Sequence, residues 1–159
     1  SINLKPFRAL SPDAFRQDFE LNVVGAIRVV QAGLNAVKAS GSGSIVMFST
    51  VAVGQGMPAH ASIAASKGAI EALTRTLAAE FSPDVRVNCI APALTNTPLT
   101  ARFFSDEARA AALGEKYPLA RTGTVDDIAA AACFLLSPDS SWMTGQILAI
   151  DGGLSSVRK

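Results

Sequence analysis

The segment from Ser44 to Ala79 constrains the fold more than any other part of the chain. Residues 44–50 are short, apolar and partly β-branched, which is typical of a buried strand. A loop of small residues follows, and residues 62–80 then carry an apolar stripe at helical spacing. The sequence predicts a strand at 44–50 and a helix over 62–80. Two hydroxyl side chains, Ser49 and Thr50, then lie where the strand ends.

The rest of the chain alternates between helical and strand patterns. Ser11 and Pro12 form a helix start, with Ser11 as N-cap, and apolar residues at spacings of three and four extend that helix over 11–39. Short apolar runs predict strands at 85–90 and 147–150. Further helices are predicted at 101–113 and at 124–136, the latter from a capping-box-like start at Thr124. Because ligands bind at the carboxyl ends of strands in open α/β sheets, Ser49, Thr50 and the nearby Lys67 mark a candidate site.

Composition excludes several classes of function. The net charge of +1 gives no electrostatic basis for binding nucleic acid, and no apolar run is long enough to span a membrane. Cys89 and Cys133 lie in apolar runs, which predicts reduced core residues of a cytoplasmic protein. The 159 residues suffice for a single domain over 1–159, and we expect no metal site.

Residues 64–69, Ala-Ala-Ser-Lys-Gly-Ala, resemble the segment around the catalytic lysine of the short-chain dehydrogenase/reductase family. In that family a tyrosine precedes the lysine by four residues, and here this position is Ile63. The family's catalytic serine corresponds to Thr50, with Ser49 beside it. By resemblance, Lys67 binds the nicotinamide ribose, and Thr50 or Ser49 holds the substrate oxygen.

Two further segments are similar to the same family. Residues 21–25 match the segment whose asparagine, here Asn22, supports the proton relay. Residues 91–98 resemble the loop that contacts the nicotinamide end of the cofactor, with Ala93 in place of a glycine. If this position requires a positive φ, alanine costs about 1 kcal/mol. The cofactor-binding residues implied by the resemblance are Asn22, Lys67, Pro92, Ala93, Leu94, Thr95 and Thr97.

The resemblance implies an α/β chain, the C-terminal part of a Rossmann-like, doubly wound fold. Strands 44–50, 85–90 and 147–150 would lie side by side and parallel, flanked by helices. It also implies NAD or NADP as cofactor and a small carbonyl compound or secondary alcohol as substrate. A homo-oligomer, dimer or tetramer, is expected because strand 44–50 would expose its edge and the family builds its subunit contacts from the helices at 11–39 and 62–80.

Two departures from the family pattern leave three functions open. No Gly-x-x-x-Gly-x-Gly motif stands between a strand and a helix, and Ile63 cannot donate a proton. The chain is then a truncated or impaired oxidoreductase, or a non-catalytic subunit that serves oligomerisation or protein interaction. The third function is a redirected enzyme that uses His60 or a hydroxyl for another reaction. His60 stands at the position where the enoyl reductase branch of the family has its tyrosine.

Overall fold

The computed structural model describes residues 3–158, which form nine helices and strands besides shorter helical turns. In chain order these elements are α1 (Pro12–Phe19), α2 (Gly25–Ala39), β1 (Gly43–Phe48), α3 (Ala52–Gln55), α4 (Ala61–Phe81), β2 (Val85–Pro92), α5 (Glu107–Gly114), α6 (Val125–Leu136) and β3 (Ile147–Ile150). The shorter turns are 3-10 helices at Phe7–Ala9, Ala101–Phe103 and Pro138–Ser140 and a π-helical turn at Glu20–Val24.

The three strands form one parallel sheet in the order β1-β2-β3. Phe48 pairs with Ile90, and Pro92 pairs with Ile150, so the carboxyl ends of all three strands face the same edge. Helices connect the strands, as parallel neighbours require. The predicted α/β architecture, a parallel sheet flanked by helices, is confirmed.

Helices α2 and α4 cover one face of the sheet. Alternate residues of β2, namely Val85, Val87 and Cys89, point into this layer and are buried. They pack with Ile70 of α4 and with Val23, which precedes α2. This layer is the main core, and it fixes the position of α4 against the sheet.

Helix α6 contacts all three strands of the sheet. The Arg86 guanidinium donates to the carbonyl oxygens of Leu135, Ser137 and Ser140, each at 3.0 Å. The Leu135 carbonyl lies in the last turn of α6, and those of Ser137 and Ser140 follow the helix, where carbonyl oxygens lack intrahelical donors. At its other end, α6 begins with the predicted capping box between Thr124 and Asp127.

The predicted helix over 11–39 is helical throughout but is not a single α-helix. Its start is confirmed, because the Ser11 side chain accepts from the Ala14 N–H and Pro12 is the first helical residue. A π-helical turn at Glu20–Val24 then separates α1 from α2. Within this turn the Gly25 N–H donates to the Glu20 carbonyl, five residues earlier. Periodicity alone did not reveal this insertion.

Three other predictions need correction. Strand β1 ends at Phe48, so Ser49 and Thr50 follow the strand, and a short helix, α3, lies in the predicted loop. The predicted helix over 101–113 consists of a 3-10 turn and α5. Cys89 is buried as predicted, but Cys133 is exposed, because the buried face of α6 is the one that carries Leu135.

Candidate functional site

A cavity of about 600 Å³ opens at the carboxyl ends of β1 and β2, beside the first turns of α4. All of the site residues predicted from the sequence line this cavity: Asn22, Ser49, Thr50, Ile63, Lys67, Pro92, Ala93, Leu94, Thr95 and Thr97. Most of the remaining lining residues are apolar, among them Met57, Leu99, Phe103 and Ile128. The fold therefore gathers residues from across the sequence around one largely apolar space.

Lys67 brings a positive charge to the wall of this cavity. Its Nζ donates to the Phe48 carbonyl oxygen at 2.8 Å, which ties α4 to the end of β1. Burial lowers the pKa of Lys67, because a partly desolvated ammonium loses hydration. Among the described residues that line the cavity, none is an aspartate or a glutamate. The ammonium is therefore suited to hydroxyl, carbonyl or anionic groups of a ligand.

The two hydroxyl side chains after β1 are not equivalent. Ser49 is 6% exposed and donates from Oγ to Glu71 Oε1 of α4 at 2.7 Å. Thr50 Oγ1 instead accepts from the Ala52 N–H at 3.3 Å, at the start of α3. Because Thr50 Oγ1 acts as an acceptor in that bond, its hydroxyl hydrogen remains for a ligand. The geometry favours Thr50 over Ser49 as a donor toward the cavity.

Asn22 reaches the cavity from the π-helical turn. Its Nδ2 donates to the Asp18 carbonyl oxygen at 2.8 Å, four residues earlier. The side chain of Asp18 is itself buried and accepts from Ser62 Oγ, next to Ile63. The turn that carries Asn22 is thus connected to the start of α4.

Ile63 lies one helical turn before Lys67 and is 8% exposed. Residues four apart lie on the same face of a helix, so Ile63 and Lys67 line the cavity together. A branched hydrocarbon at this place contributes contact area and shape, but it can neither donate nor accept a proton.

The loop after β2 also lines the cavity. The Leu94 carbonyl accepts from the Gly123 N–H at 3.0 Å, and Thr100 Oγ1 donates to the Thr95 carbonyl at 2.6 Å. Among residues 3–158 the non-glycine positions with positive φ are Ala59 and Ala120. Ala93 is therefore unstrained, and the alanine at the family's glycine position costs no backbone energy here.

Three polar residues that were not among the predicted site residues also line the cavity, namely His60, Thr100 and Tyr117. Tyr117 is buried, and this burial raises the pKa of its phenol. A hydrogen bond with the backbone of Leu94 lowers the same pKa in part. The position of Tyr117 depends on the loop after α5, for which the sequence holds no periodic signal. His60, considered only as an alternative proton donor, lies at the start of α4.

Within residues 3–158, no group of three or more His, Cys, Asp or Glu side chains is arranged to hold a metal ion. The helices in this range include none with the length and apolar character needed to cross a membrane.

Comparison with known proteins gives the same family for nearly the whole chain. A family model described as enoyl-(acyl carrier protein) reductase matches residues 2–155. A tropinone reductase homolog of Arabidopsis thaliana is 37% identical over 153 residues, which cover 96% of this chain and 57% of the relative. A relative of Xanthobacter autotrophicus, named inactive 2-(S)-hydroxypropyl-CoM dehydrogenase 2, is 38% identical over 143 residues, 86% of this chain and 62% of the relative.

A solved structure with similar geometry is a gluconate 5-dehydrogenase from Burkholderia cenocepacia in complex with NADP and tartrate. It is 33% identical, has a TM-score of 0.87, and is matched over 97% of this chain and 61% of its own. The chain therefore spans less than two thirds of the length of each of these proteins. The matched model, the identities and the shared Rossmann-type architecture show that the chain belongs to the short-chain dehydrogenase/reductase family.

Proposed function

We propose that this chain provides the nicotinamide and substrate side of an NAD(P)-dependent oxidoreductase site for a carbonyl compound or a secondary alcohol. The observation that carries the proposal is the convergence of Lys67, Asn22 and Thr50 on one apolar cavity, together with the loop after β2. The proposal also holds that Ile63 replaces the tyrosine of the family, so that position 63 supplies no proton and the site is impaired compared with family members that carry the tyrosine.

The lining residues fit the nicotinamide ribose end of such a cofactor. Lys67 is a partly buried ammonium that no carboxylate among the described lining residues neutralises, and Asn22 supplies an amide to the same cavity. Thr97 and the backbone of residues 92–95 lie across the cavity. When bound, the cofactor would supply or accept a hydride.

The chain's own residues would bind and orient the substrate. Thr50 Oγ1 donates a hydrogen bond to the carbonyl oxygen, which stabilises the negative charge that develops there. The apolar lining excludes water and holds a hydrocarbon substituent. A positioned general acid is typically worth about 10²–10⁴-fold in rate, and Ile63 forfeits that contribution.

A non-catalytic role is the second candidate. Ile63 favours it, and so does the similarity to a relative whose name describes it as inactive. In the described residues β1 pairs only with β2, and its second edge would suit a homo-oligomer or another subunit. The free thiols of Cys89 and Cys133 support a reducing compartment such as the cytoplasm.

Titration with nicotinamide mononucleotide tests the proposed site, because that molecule contains the nicotinamide and its ribose. Methyl NMR of Ile63 reports binding, and AMP is the control for unspecific nucleotide binding. We expect shifts with nicotinamide mononucleotide and none with AMP. Lys67→Met should weaken the binding, whereas Lys116→Met, which alters an exposed lysine, should not. Absence of any shift at millimolar concentration overturns the proposal.

A further inference from the structure

His60, Ile63 and Lys67 form a row on the first two turns of α4, and all three line the cavity. His60 is the N-cap residue of this helix, and its carbonyl accepts from the Ala64 N–H at 2.8 Å. Helical residues three or four apart have neighbouring side chains, about 5–6 Å between Cβ atoms. An imidazole therefore lies one turn before Ile63, next to the place from which a proton would have to come.

The orientation of this imidazole is set by the backbone. His60 Nδ1 lies 2.7 Å from the Pro58 carbonyl oxygen. A carbonyl oxygen only accepts hydrogen bonds, so Nδ1 carries a hydrogen and donates it. In the neutral ring Nε2 then holds a lone pair. In this tautomer Nε2 can accept a proton from a ligand, and once protonated it can return that proton.

The backbone before His60 is held in an unusual conformation. Ala59 has φ 65°, in the left-handed region that residues with a Cβ rarely adopt. The His60 N–H donates to the Met57 carbonyl at 3.3 Å, which closes the turn before α4. A strained backbone conformation persists where the surrounding structure imposes it, and such conformations are concentrated at functional sites. Here Ala59 directly precedes His60, and its conformation fixes the position of the imidazole at the cavity.

Few other titratable groups share this space. Among the described lining residues these are Lys67, from the same helix, and Tyr117, from the loop after α5. The phenol of Tyr117 interacts with the backbone of Leu94, and the ammonium of Lys67 donates to Phe48. Among the described lining residues, His60 therefore offers a ring nitrogen, Nε2, that is not engaged by another group of the chain, since the hydrogen bond of the imidazole is made by Nδ1.

We propose that His60 is the proton donor and acceptor of this site, in the place that the family gives to tyrosine. The inference rests on the proposed function. In reduction, a bound reduced nicotinamide would supply the hydride to the carbonyl carbon, and Nε2 of the imidazolium would give its proton to the oxygen. The products are an alcohol, the oxidised nicotinamide and a neutral imidazole. In oxidation, neutral Nε2 would remove the hydroxyl proton, and a bound oxidised nicotinamide would accept the hydride from the carbinol carbon.

The test uses the full chain and needs no variant, because His60 is the only histidine in the sequence. Long-range ¹H–¹⁵N NMR of the imidazole identifies the tautomer and the partner of Nε2. Cyclohexanol, 2-butanol and 1-phenylethanol serve as probes, since an alcohol donates to a lone pair on Nε2. Ile63 methyl signals report binding independently of the imidazole.

We expect the free chain to show hydrogen on Nδ1 and an unprotonated Nε2. Addition of an alcohol should move the Nε2 resonance upfield at the same concentrations that shift the Ile63 methyl groups. An Ile63 shift without an Nε2 shift overturns this inference and leaves the proposed function intact. A hydrogen on Nε2 in the free neutral ring also overturns it. Failure of all three alcohols to shift Ile63 overturns the proposed function as well.

Discussion

Ser62 Oγ donates to Asp18 Oδ2 at 2.5 Å, and this hydrogen bond joins α4 to α1. Both residues are buried, with exposed fractions of 0% for Ser62 and 3% for Asp18. Ser62 precedes Ile63, and the Asp18 carbonyl accepts from Asn22. Asp18 therefore connects the π-helical turn with the start of α4. This connection fixes the relative orientation of two elements that line the cavity.

Loss of this hydrogen bond should destabilise the fold. Ser62→Ala removes a buried donor to a carboxylate, and we expect the free energy of unfolding to fall by about 1–3 kcal/mol. Asp18→Asn retains an acceptor oxygen and should cost less. Urea denaturation measures both. Thr76→Ala is the control, because Thr76 is an exposed residue of α4 that donates only to the Ala72 carbonyl within the helix. Equal effects of Ser62→Ala and Thr76→Ala would contradict the prediction.

The burial of Lys67 should appear as a pH dependence of stability. Because burial lowers its pKa, the folded chain binds fewer protons than the unfolded chain between the lowered pKa and the ordinary lysine value. The free energy of unfolding therefore rises with pH across that window. We expect this rise to be smaller in Lys67→Met than in the original chain, with Lys116→Met as the exposed control. Identical pH profiles for the chain and Lys67→Met would show that burial does not penalise the ammonium.

The two cysteines should differ in reactivity. Burial raises the pKa of Cys89 to about 11, so its reactive thiolate is scarce at neutral pH. Cys133 is exposed on α6. Ellman's reagent should therefore modify one thiol in the folded chain and both after unfolding. The Cys133→Ser variant should not react while it is folded. Rapid modification of that folded variant would mean that Cys89 is accessible.

Local chemistry was sufficient to predict much of the fold. Ser11 with Pro12, and Thr124 with Asp127, carry their own start signals, and both helices begin where the sequence places them. The π-helical turn was not predictable, because it involves a hydrogen bond from Asn22 to Asp18 that spacing does not encode. Its apolar neighbours fit an ordinary helix equally well.

The residues that form the candidate site were predictable, whereas the hydrogen bonds and the exposure of individual side chains were not. All the predicted site residues line the cavity, since the family pattern fixes which elements meet. The choice between Ser49 and Thr50 depends on Glu71, which is distant in sequence and binds the Ser49 hydroxyl. The exposure of Cys133 was missed because α6 is apolar on more than one face, with Phe134 and Leu136 also exposed.

The central claim is that the site retains its other parts while Ile63 stands at the position of the family's tyrosine. Ile63→Tyr supplies a phenol there, and Ile63→Phe has nearly the same size without the hydroxyl. The cavity of about 600 Å³ beside Ile63 leaves room for either ring. Both variants are made in the His60→Asn background, so that the imidazole does not donate.

The measurement is the oxidation of NADH and NADPH with cyclohexanone and 2-butanone as substrates. We predict that the chain with Ile63→Tyr turns over faster than the chain with Ile63→Phe by about 10²-fold or more, because it regains a positioned general acid. Equal rates in the two variants, with equal binding of nicotinamide mononucleotide, would contradict the account.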